Sequence, residues 1–256
     1  DGVASETVGR LLKTTVFCLR PNHKMRERCT SASLLRALSN NRRNKLMTFQ
    51  QKYTPQSFGD LIFPDSNTRQ RLLEFANNKR HGSLIFHGPY GTAKTTTAKI
   101  LTEMRSEGLT YGGIDFYRAC DLTNKSFERI SNTRSMQVFA DVIMPVTIVD
   151  EIDQVPADLQ YKLRWELDIQ SNKGCFIFTT NKLHNVDAGL VDRCDVVELP
   201  STNTSHWFDR ARKILNSEGV GMSDQKLQAL LDTCDGSIRD LMRALEDAAV
   251  RYPRAA

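Results

Sequence analysis

Between Phe49 and about Pro200, short apolar runs alternate with longer stretches that carry apolar residues at three- and four-residue spacing. The short runs at residues 84–87, 114–118, 146–150, 175–180 and 195–199 are rich in β-branched and aromatic side chains, which predicts strands. Residues 157–170, with Leu159, Leu163, Glu166 and Leu167 at helical spacing, predict one of the intervening helices. Strand and helix in alternation imply an α/β fold: a parallel sheet flanked by helices, with a ligand at the carboxyl ends of the strands. Beyond Pro200 the strand signals stop and three helices are expected. The first has Thr204 or Ser205 as its N-cap, Trp207, Phe208, Ala211, Ile214 and Leu215 on one face, and Gly219 past its end. A second runs from Ser223 through Leu227, Leu230, Leu231 and Cys234 to Gly236. The third starts at Ser237, with Asp240 as its capping-box partner and Leu241 and Leu245 inward. The pattern therefore predicts an α/β domain over residues 47–200 and a small helical lid over residues 201–256.

Charge separates the first 46 residues from the rest. They hold 10 Lys/Arg against 3 Asp/Glu, whereas the remaining 210 hold 25 against 27, so the formal +5 of the whole chain comes from this segment. A basic pI thus says nothing about nucleic-acid binding by the core. With one aromatic residue, Phe17, and little periodicity, residues 1–46 are expected to be a disordered extension, a targeting segment or a start-codon artefact, with Met47 as a native start. The six cysteines form no CxxC pair and have no histidine cluster beside them, which argues against a zinc module or a disulfide framework. No apolar run approaches membrane-spanning length. A reducing compartment, cytoplasmic or nuclear, is expected, without secretion or membrane insertion.

Candidate chemistry begins at His87-Gly88-Pro89-Tyr90-Gly91-Thr92-Ala93-Lys94-Thr95, followed by Thr96. An apolar strand precedes this stretch and a helix follows it, which is the context of a phosphate-binding P-loop. Backbone N–H groups of the loop and the helix start cradle phosphates, helped by the helix dipole. Lys94 can reach the β- and γ-phosphates of ATP, and the Thr95 hydroxyl can ligate Mg2+. Ala93 stands where glycine is usual, and because alanine resists positive φ the loop is expected to close without that freedom. The bland reading is an ordinary glycine turn between strand and helix.

Further along, Val146-Thr147-Ile148-Val149 ends in Asp150-Glu151. The first carboxylate can hold magnesium together with Thr95, and the second can polarise an attacking water. Asn181 follows the strand at 175–180 and can orient that water. Arg193 precedes the last strand. Arg239 sits in the first turn of the third lid helix, the positive pole, where a cation is unfavourable unless it meets an anion. Each of these three taken alone also reads as a turn residue or a solvated charge. Lys125, Arg129 and Arg134 form a basic run that can line a DNA surface, although a solvated helix face is the better explanation of it.

Together these motifs resemble the AAA+ ATPases, and among them the clamp-loader small subunits, over roughly residues 49–250. Lys52-Tyr53-Thr54-Pro55-Gln56-Ser57-Phe58-Gly59-Asp60 is similar to their opening box, with Thr54 where a basic residue is usual. Asp150-Glu151-Ile152-Asp153 is similar to their acidic box, and Asp192-Arg193-Cys194 to their Ser-Arg-Cys motif with Asp for Ser. The resemblance implies Asn181 as sensor 1, Arg239 as sensor 2 and Arg193 as an arginine finger acting on the ATP of a neighbouring subunit. It further implies a homo- or hetero-oligomer such as a pentamer, with a sliding clamp and primed-template DNA as partners. The helical collar usual in that family is missing after the lid, which implies a truncated or a minimal member. Two other classes fit the same motifs: another AAA+ machine (initiator, helicase motor or protein remodeller), and a nucleotide-binding structural subunit that does not hydrolyse ATP. Glu151 argues against the latter.

Overall fold

The computed structural model describes residues 47–63, 65–106, 115–139, 145–169, 174–201 and 203–252. The expectations for residues 1–46 lie outside these. Residues Phe49–Ala256 form one compact unit.

Five strands, β1 (Ser83–His87), β2 (Asp115–Arg118), β3 (Val146–Asp150), β4 (Cys175–Thr180) and β5 (Cys194–Glu198), form one sheet in the order β2-β3-β4-β1-β5. Every neighbouring pair is parallel, as the alternation predicts. The central strand β4 is buried along its whole length, which is why it reads as an unbroken apolar run rather than an alternating one. Its side chains nonetheless divide by parity. Cys175 and Ile177 join a cluster with Leu72, Phe75 and Leu101, while Phe176 and Phe178 join Ile130, Leu159 and Leu163 on the other face. Helices α2 (Ser66–Ala76) and α3 (Lys94–Arg105) cover the first face; α4 (Asn124–Phe139) and α5 (Ala157–Ile169) cover the second. Each large apolar side chain buried in these two layers contributes about 1.5–3 kcal/mol.

A third cluster sits in the helices after the sheet: α7 (Phe208–Ser217), α8 (Asp224–Asp232) and α9 (Ile238–Arg251). It holds Trp207, Ala211, Leu215, Leu227, Leu231 and Leu245, and the short helix α1 (Phe49–Lys52) packs Phe49 and the following Tyr53 against it. A one-turn helix, α6 (Ala188–Val191), leads into β5. Two caps differ from expectation. Asn203, not Thr204 or Ser205, accepts the capping bond, from the Ser205 amide. Ser237 is the N-cap of α9 without a side-chain bond, and Asp240 pairs with Arg243 at 2.9 Å instead of closing a capping box.

Arg134 corrects the reading of the basic run on α4. Lys125 and Arg129 are exposed, but Arg134 is 1% exposed. Its guanidinium lies 4.1 Å from the Phe176 ring centroid and donates to Thr147 Oγ1 (3.2 Å) and the Cys175 carbonyl (3.1 Å). Arg134 is neither a DNA contact nor a solvated charge. It props β3 and β4 from α4. Among the described residues no helix is long and apolar enough to cross a membrane.

Candidate nucleotide-binding site

At the carboxyl ends of the strands, a cavity of about 200 Å³ opens between the loop after β1, the ends of β3 and β4, the strap at Gln50–Pro55 and the start of α9. The loop owes its path to its glycines. Gly88 has φ +149, and a Cβ there would lie 2.1 Å from the Leu199 carbonyl oxygen. Gly91 has φ +80, and a Cβ would come within 2.5 Å of Ser237 Oγ at the head of α9. The Ile238 amide donates to the Gly91 carbonyl at 3.1 Å, so α9 docks directly on the loop. The loop carbonyl thus satisfies the first N–H of the helix, which no N-cap side chain would reach.

Ala93 overturns the expectation that the loop closes without a left-handed residue there. It adopts φ 61 and ψ 22, the glycine-like conformation, as N-cap of α3. For an L-residue this costs about 1–2 kcal/mol. Past it, the unpaired N–H groups at the start of the twelve-residue α3 point toward the cavity end of the sheet, a favourable place for an anion.

Lys94 is buried and folds back on the loop, donating to the carbonyls of Gly88 (2.9 Å) and Pro89 (2.6 Å). Burial, followed by the positive charge of Arg239, pulls its ammonium down to about 8. Thr95 Oγ1 donates to Asp150 Oδ1 at 2.6 Å, so the two residues expected to share magnesium already touch. Glu151, next in the chain, has φ 61, the second left-handed non-glycine residue at this site. Asn181 lies just past the end of β4, and Arg239 faces the cavity from α9.

Of the residues singled out from sequence, Tyr90, Gly91, Thr92, Ala93, Lys94, Thr95, Thr96, Asp150, Glu151, Asn181 and Arg239 line this one cavity. Gly88 and Pro89 contribute the carbonyls that hold Lys94. Arg193 is not brought there. It lies before β5, at the opposite end of the sheet, where Nε donates to Asp168 (2.6 Å) and Nη1 to the Gly189 carbonyl (2.8 Å). Five residues of strand, roughly 16 Å, separate it from the cavity end of β5. Sequence reasoning missed Thr179, Trp207 and Met242, which also line the cavity, and it did not assign the strap residues Gln50 and Tyr53 to the site. The strap had a signal in Phe49 and Tyr53, aromatics four apart whose rings meet at 4.8 Å.

The donor set suits a hard cation brought in with a ligand. Among the described residues no group of three or more His, Cys, Asp or Glu could hold a metal unaided. One carboxylate and one hydroxyl are what Mg2+ needs when phosphates and water supply the other oxygens.

Residues 84–201 match the family model described as ATPase family associated with various cellular activities (AAA). The chain is 28% identical over 205 residues to a protein named replication factor C small subunit from Thermofilum pendens, covering 78% of this chain and 62% of that one. It is 25% identical over 202 residues to replication factor C subunit 3 of Oryza sativa subsp. japonica, covering 77% and 55%. The chain thus spans less than two thirds of the length of these relatives. In fold it is similar to the Thermotoga maritima RuvB Holliday junction branch migration motor, with a TM-score of 0.61 at 16% identity over 82% of this chain and 70% of that one.

Proposed function

We propose, from the match of residues 84–201 to the AAA family model, that the protein is an ATP-hydrolysing subunit of a sliding-clamp loader acting in DNA replication. The observation that carries the ATPase reading is the contact of Thr95 with Asp150 at 2.6 Å, beneath a loop that presents Lys94 and beside Glu151. In this reading Lys94 and the amides of the loop bind the β- and γ-phosphates of ATP. Thr95 and Asp150 hold Mg2+, which neutralises charge on the phosphates when bound. Glu151 polarises the attacking water as general base, and Asn181 orients it. Arg239 meets the γ-phosphate from the lid, where the anion offsets the penalty of a cation at the start of α9.

The clamp-loader part of the reading rests on two supports. One is the likeness to proteins named replication factor C small subunit. The other is the position of Arg193, too far from its own cavity to serve it and half-exposed, as a residue acting on a neighbouring subunit must be. Such an arrangement requires an oligomer, and a DNA duplex gripped by its phosphates gives little base specificity. On α5, Tyr161, Trp165 and Ile169 recur at four-residue spacing and are 60, 57 and 48% exposed, a surface that a protein partner would cover. Work on replicating DNA would take place in the cytoplasm or nucleus.

The test is steady-state ATP hydrolysis by the full chain alone, with primed-template DNA, and with DNA plus a sliding clamp, using Lys94→Ala as the blank. Strong stimulation by DNA and clamp together is expected. Turnover indifferent to both would remove the clamp-loader reading, and turnover no greater than that of the blank would remove the ATPase reading as well.

A further inference from the structure

At the ends of β3 and β4 one hydroxyl makes two bonds that both lead to the proposed chemistry. Thr179 is 2% exposed. Its Oγ1 donates to Asp150 Oδ1 at 2.5 Å and accepts from the Glu151 backbone N–H at 3.1 Å. A hydroxyl has one proton and two lone pairs, so these contacts use its proton and one lone pair. The register explains the meeting: Val149 stands opposite Phe178, and the next residue of each strand brings Asp150 beside Thr179.

Both partners are residues whose pose needs support. Glu151 is left-handed at φ 61, a conformation that an L-residue holds only where its surroundings fix it, and its N–H is the atom that Thr179 secures. Asp150 Oδ1 accepts from Thr95 as well, but Thr95 is the residue assigned to the metal. Thr179, rooted in the buried central strand, is the partner of Asp150 that belongs to the sheet.

We propose that Thr179 is a positioning residue for the ATPase centre: its single hydroxyl sets the side chain of Asp150 and the backbone of Glu151 together. The inference rests on the ATPase reading above and adds a residue to it. Thr179 touches neither substrate nor metal in this account; it acts through the two carboxylate residues.

The test compares Thr179→Val, which keeps the shape and removes the hydroxyl, with Thr179→Ser, which keeps the hydroxyl, in the full chain. Two readouts are taken: single-turnover ATP hydrolysis, and the Mg2+ concentration that half-saturates binding of a fluorescent, non-hydrolysable ATP analogue. Partners that orient metal ligands are worth about 10–100-fold in activity or metal affinity. Thr179→Val is therefore expected to slow hydrolysis at least tenfold and to raise the half-saturating Mg2+ several-fold, with nucleotide affinity at saturating Mg2+ unchanged. Thr179→Ser is expected to stay near wild type in both. Equal Mg2+ requirement in Val and wild type overturns the inference, and so does an equal loss in Ser and Val, which would assign the effect to packing. If Thr179→Val does not fold, Thr179→Ala supplies the same comparison. Hydrolysis by wild type that Lys94→Ala leaves undiminished overturns the ATPase reading instead, while the Mg2+ titration still decides the role of Thr179.

Discussion

Raising the pH should weaken nucleotide binding through a single group, Lys94. Its ammonium falls from 10.5 to about 8, first because burial penalises the charge and second because Arg239 faces it. A polyphosphate bound at the loop surrounds the ammonium with negative charge and raises that value again. In the ligand-free protein the proton is thus present below about pH 8 and lost above it, whereas in the complex it stays on. Binding above pH 8 must take up a proton, so Kd grows as one plus ten to the power of pH minus about 8: roughly 1.1-fold at pH 7 and about 11-fold at pH 9, or about 1.4 kcal/mol. Folding of the ligand-free chain has the reverse sign. The folded value lies below the unfolded one, so the penalty of burying the charge is present below about pH 8 and is relieved as pH rises from there toward 10.5. The assay is a titration with a fluorescent, non-hydrolysable ATP analogue at saturating Mg2+ and constant ionic strength, from pH 7.5 to 9.5. Lys94→Arg, which keeps its charge throughout, is the control. A Kd that stays flat through pH 9 in wild type, or rises with the same slope in Lys94→Arg, would refute the argument.

Three other changes follow from the geometry. Ala93→Gly removes about 1–2 kcal/mol of left-handed strain and returns about 0.4–1 kcal/mol through a freer unfolded chain, so urea unfolding should show a small net gain; a loss would mean that Ala93 is not left-handed in solution. On the clamp-loader reading, Arg193→Ala should leave nucleotide affinity unchanged while lowering DNA-stimulated turnover by about 10³-fold or more; an equal loss of affinity would make it a ligand of its own site. Arg134→Met keeps the stem over Phe176 and removes a guanidinium whose Nε and Nη1 have no partner among the described residues. It should shift unfolding free energy by less than about 1.5 kcal/mol and leave DNA affinity alone, so a selective loss of DNA binding in a filter or anisotropy assay would return Arg134 to a DNA face.

The sheet was legible because parallel strands covered on both faces leave continuous apolar runs, and residues 146–150 and 175–180 match β3 and β4 end to end. At β5 the run points one residue late. Leu199 looks like a strand residue and its amide does bond to the His87 carbonyl at 2.8 Å, while Cys194, paired with Ser83, starts the strand. What stayed hidden depends on contacts across long stretches of chain. Nothing near Arg134 in sequence announces that Phe176 will lie beneath it. Nothing near Ser237 announces that the first N–H of α9 will go to the distant Gly91 carbonyl. Thr179 left a faint trace, a Thr-Thr pair closing an otherwise apolar strand, but only the neighbouring register gives that hydroxyl its partners.

The costs at the cavity say what it is shaped for. Ala93 and Glu151 are both left-handed, and neither conformation is one its side chain prefers. Lys94, which is buried, is repelled by Arg239, which is exposed and at the unfavourable end of α9. An apolar ligand would relieve none of this, and a single carboxylate could offset only one of the two cations. A polyphosphate meets both, and the amides at the start of α3 as well. Because the Gly91 carbonyl holds the first N–H of α9, a ligand that draws the loop amides inward also acts on the helix carrying Arg239. The strap is tied to the lid at the end of α7: Tyr53 Oη donates to Glu218 at 2.5 Å and Lys52 pairs with the same carboxylate at 2.7 Å. On the proposed reading, occupancy of the cavity and the position of the lid are linked through the main-chain bond at Gly91, so whatever favours one lid position must change the affinity for nucleotide by the same factor.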